Sequence, residues 1–123
     1  MRSIYPTFRY TDAKAAIDWL VTAFGFEVTT VHEAPDGTVA HAELTYATGM
    51  IMIGQRKDAP AGIPDADDWR VYVAVDDVDA HHARAVAAGA EVVMPLTDQP
   101  YGSREYGARD IEGNPWSFGT YRP

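Results

Sequence analysis

The two halves of this chain carry glycines at matching positions, and this repeat limits the possible folds more than any other feature of the sequence. Gly25 and Gly89 each follow a segment with helical spacing of apolar residues, where a left-handed cap residue ends a helix. They lie 64 residues apart, and the same interval separates Gly49 from Gly113, which belong to two predicted hairpins. A repeat this long, present twice, predicts two fused copies of one supersecondary unit.

Each copy is predicted to contain one strand, one helix and three further strands, which makes it a βαβββ module. Thr11 or Asp12 caps the first predicted helix, and Asp76 or Asp77 caps the second. The segment between the copies contains prolines and ionisable residues without periodicity, which is typical of a surface linker. The predicted boundaries are about 1–56 for module one, 57–68 for the linker and about 69–123 for module two.

The last stretch of the chain predicts a β-hairpin with aromatic residues on one face. A strand that ends at Asp110 precedes the turn Glu112-Gly113-Asn114, and Trp116 and Phe118 then alternate with smaller residues. This pattern resembles the closing hairpin of the vicinal oxygen chelate superfamily, which includes glyoxalases, bleomycin-resistance proteins and extradiol dioxygenases. Paired βαβββ modules are also similar to that family's architecture, so the resemblance covers the whole chain.

The resemblance implies an α+β fold with a particular arrangement of its strands. The two βαβββ modules are expected to form a curled eight-stranded mixed sheet, a half-barrel around a pocket, with the helices outside. The resemblance also implies a homodimer, for which Trp69, Trp116, Tyr101 and Tyr106 offer aromatic surface.

The positions that hold metal ligands in enzymes of this family carry other residue types here. In those enzymes a His or Glu lies on the first and last strand of each module. The resemblance places Tyr5 and Ile53 at these positions in module one, and Arg70 or Trp69 with Ser117 in module two. None is a usual metal ligand, so no metal and no cofactor is expected. A register error of one residue would exchange Ile53 for Met52 or Gly54 and would not create a metal site.

Strand alternation separates a core face from a pocket face. Val71, Val73 and Val75 are uniformly apolar, and Phe8 with Tyr10 and Trp116 with Phe118 are similar, so these sets are predicted to pack beneath the helices. The opposite face is predicted to line a pocket for a small ligand with apolar bulk and an anionic or hydrogen-bonding group. Its predicted ligand-binding residues are Tyr5, Thr7, Arg9, His41, Glu43, Ile53, Arg70, Tyr72, Ser117 and Tyr121.

Three of these residues are also candidates for proton transfer: Glu43, His41 and Tyr5. Two of them have a structural alternative. Glu43 is equally suited to a salt bridge with Arg9 or Arg70, and His41 to an exposed strand position. Arg70 is predicted to approach Glu43 and the hydroxyl of Tyr5, because the three valines of its strand fix the core face and leave Arg70 on the other side.

Composition excludes several classes of protein. The chain has no Cys, which excludes thiolate catalysis, disulfides and thiolate metal sites. Its formal charge of −8 argues against nucleic acid as a partner, because no basic stripe could offset the repulsion from phosphates. No apolar run is long enough to cross a bilayer and the first residues do not resemble a signal peptide, so no membrane association and a cytoplasmic location are expected.

Three functions are compatible with this sequence. The first is a metal-free protein that binds a small aromatic or acidic molecule in the concave pocket, as a resistance or sequestration protein. The second is an enzyme of the family, a lyase, isomerase or dioxygenase, that acts on a small keto, hydroxy or aromatic substrate and transfers protons without metal. The third is the same kind of enzyme with a divalent metal, for example bound by His41 and Glu43.

Overall fold

The computed structural model describes residues 2–57 and 69–123, which belong to two compact units, 1–61 and 62–123. Unit one contains β1 (Thr7–Tyr10), α1 (Ala13–Phe24), β2 (Glu27–Glu33), β3 (Val39–Tyr46) and β4 (Gly49–Gln55). Unit two contains β5 (Val71–Ala74), α2 (Val78–Ala87), β6 (Glu91–Asp98), β7 (Arg104–Arg109) and β8 (Pro115–Gly119). The two predicted βαβββ modules and the α+β class are therefore confirmed.

The eight strands form two four-stranded mixed sheets, one in each unit, in place of the single eight-stranded sheet expected. The strand order is β1-β4-β3-β2 in unit one and β5-β8-β7-β6 in unit two, so the two sheets have the same topology. The first and last strands of each unit are parallel neighbours, and the other pairs are antiparallel. A parallel pair needs a crossover connection, and in each unit the helix lies in that connection.

In unit one, α1 covers one face of the sheet. Asp12 is the N-cap, because its carboxylate accepts a hydrogen bond of 3.1 Å from the backbone N–H of Ala15, and Gly25 ends the helix at φ 83°. The large apolar side chains of α1 and of the strand face below it are fully buried or nearly so, and each stabilises the fold by roughly 1.5–3 kcal/mol. They are Phe8, Tyr10, Ile17, Leu20, Phe24, Leu44, Ile51 and Ile53.

In unit two, the core is an aromatic cluster beneath α2. Tyr106, Trp116 and Phe118 are fully buried, and the ring of His81 from α2 lies 4.3 Å from that of Phe118. The Nδ1 atom of His81 and the hydroxyl of Tyr106 form a hydrogen bond of 2.6 Å, so these two buried polar atoms satisfy each other. Trp116 and Phe118 lie in the core as their alternation predicted, and Tyr106 is a core residue as well, so neither Trp116 nor Tyr106 is available for a dimer interface.

The three valines in and directly after β5 follow the predicted alternation only in part. Val75 is buried, as expected, whereas Val71 and Val73 are half-buried. Because α2 packs chiefly on β6 and β7, the β5 edge of the sheet receives less cover from the helix. No helix in residues 2–57 and 69–123 has the length and hydropathy needed to span a bilayer.

The interval between equivalent residues of the two units is 64 in some parts and 65 in others. This difference of one residue changes the assignment of one predicted site residue. The helix caps are Asp12 and Asp77, which lie 65 residues apart, and not Asp12 and Asp76. In the closing hairpins Leu44 pairs with Ile51 but Ala108 pairs with Trp116, so the second hairpin contains one more residue. The position equivalent to Ser117 is consequently Met52, and Ile53 corresponds to the core residue Phe118.

Ile53 was predicted to line the pocket, and that prediction is wrong. Its side chain is completely buried on the face that α1 covers, next to Phe8 of the parallel strand β1. Met52, the neighbour that a one-residue register error would substitute, is half-buried and points to the opposite face. The physical reason is the extra residue of the second hairpin, since a shift of one residue moves a strand side chain to the other side of the sheet.

Candidate functional site

Each sheet has one face that its own helix does not cover, which we call the open face. On unit one it includes Thr7 and Arg9 from β1, His41 and Glu43 from β3, and Met52 from β4. These residues alternate with the buried core residues of the same strands, and Glu43 and Met52 are direct cross-strand partners. The open face of unit one therefore combines most of the residues that were predicted for the first half of the site.

His41 and Glu43 form a hydrogen-bonded pair. The Nε2 atom of His41 lies 2.8 Å from Oε2 of Glu43, and the two side chains are 40% and 32% exposed. The ring of His32, from the neighbouring strand β2, stacks on His41 with 6.3 Å between ring centroids. A half-exposed imidazole held by a carboxylate is able to accept and release a proton, which is the chemistry expected of these residues.

The structure places Tyr5 and Thr7 near each other at the start of unit one. The hydroxyl of Tyr5 donates to the backbone carbonyl of Arg2 at 3.2 Å. The hydroxyl of Thr7 donates to the backbone carbonyl of Tyr5 at 3.4 Å. The hydroxyl of Tyr5 is therefore already engaged by the chain. Arg70 is exposed and immediately precedes β5. Its approach to Tyr5 and Glu43, which would join the two units, stays a prediction.

The open face of unit two contains a cluster of tyrosines around one carboxylate, which we call the tyrosine cluster: Tyr72, Tyr101, Tyr121 and Glu105. The hydroxyl of Tyr72 donates to the carbonyl of Tyr121 at 2.7 Å, and that of Tyr101 donates to Oε1 of Glu105 at 2.8 Å. The rings of Tyr101 and Tyr121 meet edge to face at 6.0 Å. Ser117 is the direct cross-strand partner of Tyr72.

These contacts favour the neutral form of two phenols. Partial burial raises the pKa of Tyr72, and the negative charge of Glu105 acts in the same direction. The hydrogen bond to Glu105 raises the pKa of Tyr101. Both hydroxyls therefore remain donors over the whole neutral range, so that the cluster presents apolar rings together with hydrogen-bonding groups.

Sequence reasoning missed Glu105, and a glycine on the neighbouring strand could have indicated its position. Gly119 lies so close to Glu105 and Tyr72 that an added Cβ would be 2.5 Å from Cγ of Glu105 and 2.9 Å from the Tyr72 hydroxyl. At the matching place in unit one, a Cβ on Gly54 would be 2.8 Å from Nη1 of Arg9. A glycine inside a strand often marks such a close approach, and this was the available signal.

The donor set at the ligand positions that the resemblance implies does not fit a divalent metal. With the corrected register, these positions carry a phenol at Tyr5, a thioether at Met52, a guanidinium at Arg70 and a hydroxyl at Ser117. Such ions need several convergent carboxylate or imidazole donors, and a guanidinium cannot coordinate. The described residues also contain no cluster of three His, Asp or Glu side chains suited to hold a metal.

Comparison with known proteins identifies similar sequences and folds. A sequence model of the Glyoxalase/Bleomycin resistance protein/Dioxygenase superfamily matches residues 4–118. Uncharacterized proteins of Mycobacterium bovis and Mycobacterium tuberculosis are each 32% identical to this chain over 95% of its length. The matched region covers 82% of the first protein and 73% of the second.

Solved structures show the same fold. TioX from Micromonospora sp. ML1 is 38% identical, with a TM-score of 0.79 over 99% of this chain and 98% of its own. A glyoxalase I variant from Zea mays has a TM-score of 0.77 at 16% identity. That alignment covers 99% of this chain but 46% of the maize protein, so this chain spans about half the length of the plant enzyme.

Proposed function

Because the chain belongs to the Glyoxalase/Bleomycin resistance protein/Dioxygenase superfamily, we propose that it binds a small aromatic or acidic molecule on its open faces, without a divalent metal as Lewis acid. Such binding suits a sequestration or resistance protein. The observation that carries this proposal is the tyrosine cluster of unit two, whose three rings are all at least 37% exposed. Exposed rings on a sheet face are available to a ligand, which buried core rings are not.

Two kinds of contact support an aromatic or acidic ligand. Stacking of a ligand ring on a tyrosine contributes roughly 0.5–1.5 kcal/mol beyond the burial of area, and the cluster offers several such rings. Glu105 accepts hydrogen bonds beside them. Each unit also has a cation that can donate to a carboxylate: Arg9 in unit one and Arg70 in unit two. Apolar rings with a few polar groups are typical of sites that bind small molecules.

A thermal-shift screen over aromatic antibiotics and small keto and hydroxy acids tests this proposal. A ligand of the folded protein raises the apparent Tm with the logarithm of its excess over Kd.

We expect Tyr101→Ala to abolish the shift caused by an aromatic compound, while Ile111→Ala, which truncates another exposed apolar side chain in unit two, leaves it unchanged. Arg70→Ala should weaken an acidic compound by roughly 2–5 kcal/mol if that contact is a desolvated charge pair. A screen in which no compound shifts the Tm contradicts the proposal.

The His41–Glu43 pair supports a second candidate, an enzyme that moves a proton on a small keto or hydroxy acid. In this reaction His41 takes a proton from the carbon next to the carbonyl, and the electrons of the broken C–H bond move to the carbonyl oxygen as an enolate. Glu43 stabilises the imidazolium through their hydrogen bond, and the ring then returns a proton, or in D2O a deuteron, to the carbon. Deuterium exchange into a panel of small keto acids in D2O measures this step directly. We expect Glu43→Gln to slow the exchange markedly and Glu33→Gln, a change on the neighbouring edge strand, to leave it unchanged. Equal rates in both variants would exclude this candidate.

A further inference from the structure

Unit one contains a cavity of about 430 Å³ beside the end of β4. The beginning of β3 and the residues that follow β4 form much of its wall. Its lining includes Arg9, Thr38, Val39, Gln55, Arg56 and Lys57. Only Arg9 of these residues was predicted to contact a ligand. The volume is within the usual range for cavities that bind small molecules, and it leaves room for more than a simple ion.

Three cations meet in this cavity although the chain as a whole carries a charge of −8. Within the described part of the chain, Arg9, Arg56 and Lys57 form no ion pair with a carboxylate. Other cations of the chain do form such pairs: Arg104 lies 3.0 Å from Asp79, and Arg122 lies 2.9 Å from Asp76. Neighbouring like charges repel, so unpaired cations gathered at one place favour the binding of an anion.

The local structure fixes two of the three cations. Gly54 allows the guanidinium of Arg9 to lie against the sheet, because the space that a Cβ would occupy is 2.8 Å from Nη1. Arg56 donates from Nη2 to the carbonyl of Arg9 at 3.1 Å, and its backbone N–H donates to Tyr10. Arginines held in this way present their remaining N–H groups in a fixed geometry that matches an oxyanion.

An acidic residue beside this cavity, Asp36, already has hydrogen-bond partners on its own turn. Asp36 lines the adjoining space together with Arg56 and Lys57. One of its carboxylate oxygens accepts from the hydroxyl of Thr38 at 2.6 Å and from the N–H of Thr38 at 3.0 Å. These hydrogen bonds, and secondarily Lys57, lower the pKa of Asp36. Among the described residues that line these two adjoining spaces, three cations stand against one carboxylate, which leaves an excess of two positive charges.

We propose that this cavity is a binding site for a small oxyanion with two negative charges, either inorganic phosphate or the phosphate group of a monoester. The excess charge matches a dianion better than a carboxylate, and the volume accommodates an organic substituent. This inference goes beyond the proposed function, with which it shares Arg9. It holds whatever molecule the tyrosine cluster accepts.

Calorimetric titration with inorganic phosphate, phenyl phosphate and acetate at low salt tests the site. We expect saturable binding of phosphate, and binding of phenyl phosphate at least as tight if the natural ligand is a monoester. A hydrogen bond to a charged group is worth about 1.5–3 kcal/mol, so Arg56→Gln and Lys57→Gln should each weaken phosphate roughly tenfold or more. Acetate should bind more weakly than phosphate. The matched control is Arg122→Gln, which removes one positive charge from a surface pair in unit two and should leave the affinity unchanged.

Each contrary result overturns the site. No saturable binding at millimolar phosphate does so, and so does an equal loss of affinity in Arg122→Gln, because the effect would then come from net charge. Acetate binding as tight as phosphate contradicts a dianion site. These outcomes are separate from the test of the proposed function. If phosphate binds and none of the aromatic antibiotics, keto acids and hydroxy acids of the thermal-shift screen raises the Tm, the oxyanion site stands and the proposed function fails.

Discussion

A single residue of register decides whether a strand side chain belongs to the core or to the site. Met52 and Ile53 are both apolar neighbours on β4, and nothing in their composition distinguishes their faces. The structure does so through pairing: Ile53 lies beside Phe8 on the helix-covered side, while Met52 lies beside Thr7 on the open face. A core side chain contributes chiefly to stability, whereas one on the open face is available to a ligand.

Truncation of the two residues should therefore have unequal effects. We expect Ile53→Ala to lower the free energy of unfolding by roughly 2–5 kcal/mol, because it removes buried methyl groups and leaves a cavity. Met52→Ala should lower it clearly less, since the methionine is only half-buried. Urea denaturation of both variants measures the difference. An equal or larger loss in Met52→Ala would contradict the strand register.

The phenol of Tyr72 should titrate above its ordinary pKa of 10.0. Burial, and secondarily Glu105, disfavours the phenolate in the folded protein, so the unfolded chain ionises first as the pH rises. The stability that neutral Tyr72 contributes is thus present below pH 10.0 and is lost as the pH rises through its folded pKa. Phenolate absorbance is measured against pH for the wild type and for Tyr72→Phe, and the difference between the two titration curves gives the ionisation of Tyr72. A component at or below pH 10.0 would contradict the assignment.

At the scale of the elements, two adjacent aspartates before α2 have different tasks. Asp77 is the N-cap, since its carboxylate accepts from the N–H of Ala80 at 3.0 Å. Asp76 instead pairs with Arg122 at the surface, where its side chain is 95% exposed. The sequence alone left both residues as candidates for the cap, because either carboxylate precedes the helix at an acceptable distance.

Removal of each carboxylate should separate these tasks. We expect Asp77→Ala to cost about 1 kcal/mol of stability, the usual value for a lost N-cap. Asp76→Ala should cost less, because exposed ion pairs contribute little. Thermal and urea unfolding of the two variants provide the measurement, and the order of the two losses is decisive. If Asp76→Ala were the more harmful change, the cap would be assigned to the wrong residue.

Most elements of the fold were predictable because each carries a local signal. Apolar spacing with Asp12 and Gly25 at its ends identified α1, and alternation identified the strands. The register between strands could not be predicted from local patterns. The extra residue of the second hairpin is visible only once β7 and β8 are paired, and it reverses the faces that a constant repeat interval assigns.

The candidate site was predictable in unit one and less so in unit two. His41 and Glu43 alternate on one strand, so their shared face followed from sequence. His81 lies in the core because Tyr106, 25 positions later in the chain, satisfies its ring nitrogen. Glu105 belongs to the site because Gly119 leaves room for it. Both depend on partners far along the chain, to which local periodicity is insensitive.

For the whole molecule, the homodimer remains a prediction with altered support. Two of the four aromatic residues first considered for its interface, Tyr106 and Trp116, are buried in unit two. Trp69 and Tyr101 are 39% and 61% exposed and still offer aromatic surface of the kind enriched at interfaces. Light scattering at micromolar concentration should give twice the monomer mass of 13.5 kDa. A single species of 13.5 kDa throughout a dilution series would count against the dimer.

Gly54 and Gly119 occupy the same place in the two units, and each leaves a notch in the open face of its sheet. In one unit the notch holds the guanidinium of Arg9, and in the other it holds the carboxylate arm of Glu105 beside Tyr72. A gene duplication would give both units a glycine with open space beside it, and later substitutions would place side chains of opposite charge in the two spaces. Two units of common origin can in this way come to favour different ligands, one unit suited to negative groups and the other to positive or hydrogen-donating groups.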